Sequence, residues 1–220
     1  MRILIHTQKG GVGKTTTALN LAAALLRGGH GSRAVLVDLD PQQHLTAMLT
    51  TTPSPAGNGR APLAVDGESG LFLGQSTEAQ DDADWTLLDT APNWTEEIAQ
   101  TCHDCDLILC PLEPDFLGLA GVGRLLERLE TIGVDRSRLR FVLTRFNPRL
   151  ALHREVRDRL RSRFGDLVLP VEIRSSVKLA EAPGMGRTIF AHAPASTGCL
   201  DYRALADVLA RALQTGKDAA

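Results

Sequence analysis

Apolar positions in the first forty residues follow two different patterns. Ile3-Leu4-Ile5, inside 2–6, and Ala34-Val35-Leu36-Val37 are short continuous apolar runs, the pattern of strands covered on both faces. Between them Ala18, Leu19, Ala22, Ala23, Leu25 and Leu26 recur at helical spacing and predict a helix over 15–27, stopped by Gly28-Gly29. The alternation continues along the chain. Strands are predicted at 71–73, at 85–88, at 107–110 closed by Pro111, at 140–143, and at 167–173 interrupted by Pro170. Helices are predicted at 117–131, at 150–164 with Leu152, Val156 and Leu160 on one face, and at 201–213. Residues 51–62, TTPSPAGNGRAP, read as loop. Strands alternating with helices predict an α/β fold: a mostly parallel twisted sheet flanked by helices. No internal repeat or second-domain boundary is evident, so residues 1–220 are expected to form a single domain with no helix-turn-helix ahead of the first strand.

Composition narrows the class. A chain of 220 residues suits one large domain, and with 4% aromatic residues its core must rest on Leu, Val, Ile and Ala. No apolar run approaches the roughly 20 residues of a membrane span, and the first residues lack a secretory pattern, so a cytoplasmic protein is expected. The net charge of −2 conceals an asymmetry: residues 1–130 carry −9 and residues 131–220 carry +7. Ten arginines fall within 136–163, against Glu155 and Asp158, and Arg154, Arg157 and Arg161 share a helix face. Such a face suits salt-sensitive contacts to phosphates without base reading. Of the four cysteines, Cys102 and Cys105 form a CxxC. No second pair completes a zinc site, and the motif precedes a strand, so reduced, buried thiols are expected.

The chemistry is concentrated after the first strand. Gly10-Gly11-Val12-Gly13-Lys14-Thr15 follows a strand and opens a helix, as a phosphate-binding loop requires. Glycines let successive N–H groups turn inward, and the helix N-terminus adds partial positive charge. Lys14 would reach the β- and γ-phosphates of ATP, and the Thr15 hydroxyl would coordinate Mg²⁺. In the pattern GxxxxGK[ST], Gln8 stands where the first glycine belongs. Lys9 precedes the glycine pair, a position suited to crossing to a partner subunit's nucleotide.

The run from Lys9 through Thr16, KGGVGKTT, resembles the deviant Walker loop of the ParA/MinD family, and the chain as a whole looks like a ParA-type partitioning ATPase. Val37-Asp38-Leu39-Asp40-Pro41-Gln42 resembles that family's VDLDPQ box, residues 85–92 its Walker B strand, residues 106–119 its later strand and loop, and residues 179–187 its LxEAPxxGK segment. The resemblance implies a deviant-Walker P-loop fold, nucleotide binding by Lys9 through Thr16, and Mg²⁺ near Thr15, Asp38 and Asp89. It implies catalytic roles for Lys9, Lys14 and Asp40, with Asp40 positioning water. It further implies an ATP-dependent homodimer, non-specific binding to nucleoid DNA, and a ParB-like or cargo-adaptor protein that stimulates slow hydrolysis, with no membrane partner. Arg174, Lys178 and Arg187 would extend the DNA face of Arg154, Arg157 and Arg161. Three departures stand out: Asp89 is followed by Thr90-Ala91-Pro92-Asn93, Ile173-Arg174-Ser175-Ser176 lacks the family's proline, and residues 194–198 carry no basic group. Two alternatives stay open. A MinD-like membrane-surface switch would need an amphipathic end, whereas this chain closes on small and polar residues broken by Gly216. An iron–sulfur relative would need Cys102 and Cys105 to bridge a cluster between subunits.

Overall fold

The computed structural model describes residues 1–50, 62–74 and 82–218. The loop expected at 51–62 therefore lies almost wholly outside the described residues. In chain order the elements are β1 (Arg2–Ile5), α1 (Lys14–Arg27), β2 (Ala34–Asp38), α2 (His44–Leu49), β3 (Leu63–Ala64), β4 (Leu71–Gly74), β5 (Trp85–Asp89), α3 (Glu96–Asp104), β6 (Leu107–Leu112), α4 (Phe116–Thr131), β7 (Leu139–Phe146), α5 (Ala151–Phe164), β8 (Val168–Arg174), α6 (Val177–Glu181), α7 (Ile189–His192) and α8 (Thr197–Asp218). The strands form one sheet in the order β3-β4-β2-β5-β1-β6-β7-β8, parallel except for the antiparallel pair of β3 with β4.

Continuous apolar strands are explained by helices on both faces. Ile3 and Ile5 face a core with Leu19, Leu21 and Leu25 of α1 and Tyr202, Leu205 and Leu209 of α8. Leu4, between them, faces the opposite core with Ile98 of α3, Val122 and Leu125 of α4, and Val156 and Leu160 of α5. This layering creates a crevice: the chain leaving β1 turns to one face, while the chains leaving its neighbours β5 and β6 turn to the other. Ligands of open α/β sheets collect where such connections diverge beyond the carboxyl ends of strands.

Several elements differ from the pattern-based expectation. Strand β6 runs through Pro111 to Leu112, because the β1 ladder ends at the Ile5–Leu109 pair and no strand beyond it needs the missing N–H. Strand β8 likewise continues past Pro170, with a register shift there, since it is the sheet edge and Pro170 is exposed. Helix α8 starts before residue 201 and continues through Gly216 to Asp218. One glycine costs a helix about 1 kcal/mol, too little to end one this long. Helices α2 and α3 are not announced by the apolar pattern. Helix α3 is fixed by its terminus: Thr95 Oγ1 accepts the Ile98 N–H, and Glu96 and Glu97 occupy the first turn.

The four cysteines are buried and free, and burial pushes Cys102 and Cys110 up to about 12 and Cys105 up to about 11. Cys102 and Cys105 belong to the core under α3, not to a surface where a cluster could bridge two subunits. Among the described residues no group of His, Cys, Asp and Glu is arranged to hold a metal on its own, and no helix is long and apolar enough to cross a membrane.

Arg174 ties the last strand to α8. Its backbone N–H, Nε and Nη2 all donate to the Asp201 carboxylate, at 2.6 to 3.1 Å. Asp201 is buried, so truncating it removes several bonds and leaves Arg174 without its counter-charge. Asp201→Ala is expected to cost about 2 kcal/mol, a drop of roughly 4–8 °C in Tm for a chain of this size. Thermal melting of the two proteins checks this.

Candidate nucleotide site

Helix α1 begins with an open anion cradle. Its N-cap is Gly13, which offers no side-chain cap, and its first turn has no acidic residue. The first N–H groups of the helix are thus left for a ligand. Gly11 and Gly13 sit at φ +75° and +92°, conformations that side chains rarely adopt. A Cβ on Gly10, Gly11 or Gly13 would meet nothing within 4 Å, so the loop faces open space. That space is a cleft of about 1100 Å³, walled by the loop, Thr15, Thr16, Asp40, Thr90 and Arg145 among others. From below, Thr144 Oγ1 donates to the Val12 carbonyl (2.8 Å) and ties β7 to the loop.

Two buried ionisable groups, one lining the cleft and one beside it, have almost no hydrogen-bond partners. Lys14 is only 8% exposed, and its Nζ makes one long bond, 3.5 Å, to the Lys9 carbonyl. Burial lowers its pKa, with Asp89, Asp40 and Cys110 acting in opposition. Asp89 is 1% exposed, and neither carboxylate oxygen has a hydrogen-bond partner. Burial raises its pKa to about 7; the neighbouring Thr15 hydroxyl acts against the shift without reaching sound hydrogen-bond geometry, and Asp38 adds to it. An orphaned carboxylate beside a Thr hydroxyl and a phosphate cradle fits Mg²⁺, which binds through one or two carboxylates plus phosphate oxygens and water. Next to it His6, pushed down to about 4 chiefly by burial and then by Lys14, stays neutral. Because Thr90 Oγ1 donates to the Ile5 carbonyl, the proton between His6 and Thr90 sits on Nδ1.

The structure brings most of the sequence-predicted residues to this one edge. Asp38 and Asp89 are paired across β2 and β5. Asp38 is engaged within its own loop: Oδ1 accepts the Asp40 N–H, and Oδ2 accepts the N–H and hydroxyl of Thr46, which anchors α2. Asp40 lines the cleft and accepts the Gln42 N–H. Lys9 does not extend outward. Its Nζ lies 2.8 Å from Glu113 and 2.6 Å from Asp115 of the same chain. Burial opposes its charge, but the hydrogen bonds with Asp115 and Glu113 outweigh it and raise its pKa. Glu113 also holds Arg145 at 2.9 Å. Glu113, Thr144 and Arg145 went without roles in the sequence reading. The acidic pair flanking Pro114, directly after a strand end, was the signal that could have found the first of them.

The basic face is less free than the arginine count implies. Arg157 pairs with Asp158, Arg161 with Glu172, Arg174 with Asp201, and Lys178 with Glu181. Arg154 donates to the Pro148 carbonyl, and Arg187 is exposed. Among the described residues, only these two of the six candidates lack a carboxylate partner.

The Asp89 carboxyl carries a testable consequence. In the unfolded chain it ionises near pH 4, whereas in the fold it keeps its proton to about pH 7. Its folded pKa is raised, so the stability it contributes is full below pH 4 and is lost as the pH rises toward 7. Asp89→Asn removes that loss. The difference in unfolding free energy, variant minus parent, is expected to climb by about 3 kcal/mol from pH 4 to 7 without nucleotide or metal. Denaturant titrations across that range check it; a flat difference would contradict a desolvated carboxyl.

Comparison with known proteins agrees with this geometry. Residues 3–189 match the model of the CobQ/CobB/MinD/ParA nucleotide binding domain. The chromosome-partitioning ATPase Soj of Thermus thermophilus is 36% identical, with 96% of each chain covered. The chromosome partitioning protein ParA of Caulobacter vibrioides is 29% identical over 96% of this chain and 95% of its own. The cell division ATPase MinD of Pyrococcus furiosus shares the fold, with a TM-score of 0.75 at 20% identity, covering 96% of this chain and 98% of that one.

Proposed function

Because the chain belongs to the CobQ/CobB/MinD/ParA nucleotide-binding family, we propose that it is a ParA-like ATPase that couples nucleotide state to dimerisation and to transport or positioning of a cargo. The observation that carries this reading is the pair of buried ionisable groups, Lys14 and Asp89, that lack ion-pair partners among the described residues beneath an uncapped P-loop helix. Burying a charge without a partner costs several kcal/mol, a cost that a bound triphosphate with its metal would offset.

In this reading the loop N–H groups and Lys14 grip the β- and γ-phosphates of ATP. Thr15 and Asp89, with Asp38 behind them, hold Mg²⁺, which neutralises charge on the phosphate oxygens. Asp40 orients the attacking water from the cleft wall. Lys9 leaves Glu113 and Asp115 to reach the nucleotide of a second copy. Those ion pairs are partly exposed, and such pairs hold by about 0.2–1 kcal/mol each, so a triphosphate can compete for Lys9. The ATP-bound dimer binds DNA through phosphates, with Arg154 and Arg187 as the freest cations, and a ParB-like or cargo-adaptor protein stimulates slow hydrolysis. The expected location is the cytoplasm, on the nucleoid.

Lys14→Ala is expected to lose ATP binding by at least a hundredfold in equilibrium titration, and retained affinity would sink the assignment. Lys9→Ala is expected to keep ATP binding but to lose ATP-dependent dimerisation, read by light scattering; a variant that still dimerises would refute the trans role. DNA retention should require ATP and weaken steeply between 50 and 200 mM salt, the range over which phosphate contacts lose affinity. Nucleotide-independent retention would count against the DNA reading, and binding to anionic vesicles in its place would favour a membrane-surface switch.

A further inference from the structure

The apolar strand β1 runs directly into a histidine. His6 is 0% exposed, and its ring meets Trp94 edge-on at 5.6 Å between centroids. Its Nδ1 donates to Thr90 Oγ1 at 2.9 Å, and that hydroxyl donates to the Ile5 carbonyl, also at 2.9 Å. Two adjacent residues at the end of β1 therefore grip one hydroxyl. Among the described residues the other ring nitrogen, Nε2, has no partner. An imidazole buried with one nitrogen unsatisfied is costlier than an apolar side chain of similar size, so core packing does not account for it.

The place it grips does. Backbone pairing of β1 with β5 ends at Ile5 and Asp89. Thr90 comes next and begins a wall of the nucleotide cleft that continues through Ala91, Pro92, Asn93 and Thr95. The far end of this wall is fixed by the Thr95 cap on α3 and by Trp94, which sits between His6 and Arg128. Asp89 cannot set its own direction through its side chain, since neither oxygen has a hydrogen-bond partner among the described residues. Its carbonyl accepts the Leu39 N–H on the β2 side. On the β1 side the clamp on Thr90 takes over where the backbone ladder stops. Carboxylates that hold metals are ordinarily oriented by hydrogen bonds from surrounding groups. Here that task falls to the chain on either side of the carboxylate.

We propose that His6 is a positioning residue for the metal site: through the Thr90 hydroxyl it fixes the chain just past Asp89 and so aims that carboxylate at the Mg²⁺ of a bound nucleotide. The inference rests on the nucleotide reading above. His6 does not line the cleft, so it acts only through Thr90 and the loop that follows.

The test titrates ATP into the full chain in excess Mg²⁺ and in EDTA, for the parent, His6→Leu, His6→Asn and Thr90→Val. Leucine fills the site without a donor. Asparagine presents an amide N–H where Nδ1–H stood, and valine keeps the shape of Thr90 without its hydroxyl. The ratio of the two affinities reads the contribution of the metal alone. It should fall about tenfold in His6→Leu and in Thr90→Val, the lower end of what changes around a metal's ligands cost. Affinity in EDTA should stay within twofold of the parent, and His6→Asn should keep the ratio within threefold. An unchanged ratio in His6→Leu and Thr90→Val would overturn the role. So would equal weakening with and without Mg²⁺, which marks general damage to the cleft. A His6→Asn protein as impaired as His6→Leu would overturn it too, because the ring's packing rather than its donation would then matter. Should His6→Leu fail to fold, Thr90→Val decides alone. A parent that binds no ATP would overturn the nucleotide reading itself. A parent that binds ATP equally with and without Mg²⁺ would overturn the metal role of Asp89, and this inference with it.

Discussion

The structure is organised around charge that the fold leaves unsatisfied. Lys14, at the start of α1, and Asp89, at the end of β5, are withdrawn from water and, among the described residues, form no ion pair with each other or with a neighbour, although each feels the other's charge. A fold selected only for stability would replace such groups with apolar ones, since even a well-made buried ion pair is often no better than a hydrophobic contact. Their retention requires the surroundings seen here: two apolar cores that supply the stability, a helix terminus left uncapped, and a loop whose backbone only glycine accepts at two positions.

Around this inner tier lies an outer one built on the opposite rule. Lys9, Arg145, Glu113 and Asp115 form a charge-balanced quartet of short, partly exposed ion pairs. Asp115 also caps α4 by accepting the Gly118 N–H, so its backbone is fixed while its other oxygen holds Lys9. The inner groups are costly to bury, whereas the outer, partly exposed pairs are cheap to exchange. In the proposed reading a triphosphate entering the cleft would compensate the inner groups and compete with carboxylates for the outer cations, the division a nucleotide-dependent switch needs.

The strands, the P-loop and its helix were legible in the sequence because their signals are local: continuous apolar runs, a glycine cluster, a 3.6-residue period. Asp38 and Asp89 were legible for the same reason, each closing an apolar run, and the sheet register then places them side by side. What was not legible depends on contacts distant in sequence. Lys9 meets carboxylates more than a hundred residues away, so nothing near it indicates that it folds back on its own chain. Pro111 and Pro170 read as strand breakers because a proline's tolerance depends on whether a neighbour strand lies alongside, which is a property of the sheet order. Helices α2 and α3 are short and owe their positions to Thr46 on Asp38 and to the Thr95 cap, interactions that an apolar period does not register.

The charge asymmetry shows how far a count can mislead. The C-terminal part carries an excess of seven positive charges, yet much of its basic surface is spent within the fold: Arg161 on Glu172, Arg174 on Asp201, Arg157 and Arg159 on acidic neighbours along α5. Phosphate binding scales with the number of cations that can release counterions, about 0.9 per contact in the exponent of the salt dependence. With few uncommitted cations on its predicted face, one chain would hold a polyanion weakly. Two chains joined across their nucleotides would present twice as many on one surface, and the exponent would double with them. Weak self-neutralised faces on each monomer are therefore compatible with tight, salt-sensitive binding by a dimer, and in the proposed reading that binding would depend on the same step that moves Lys9.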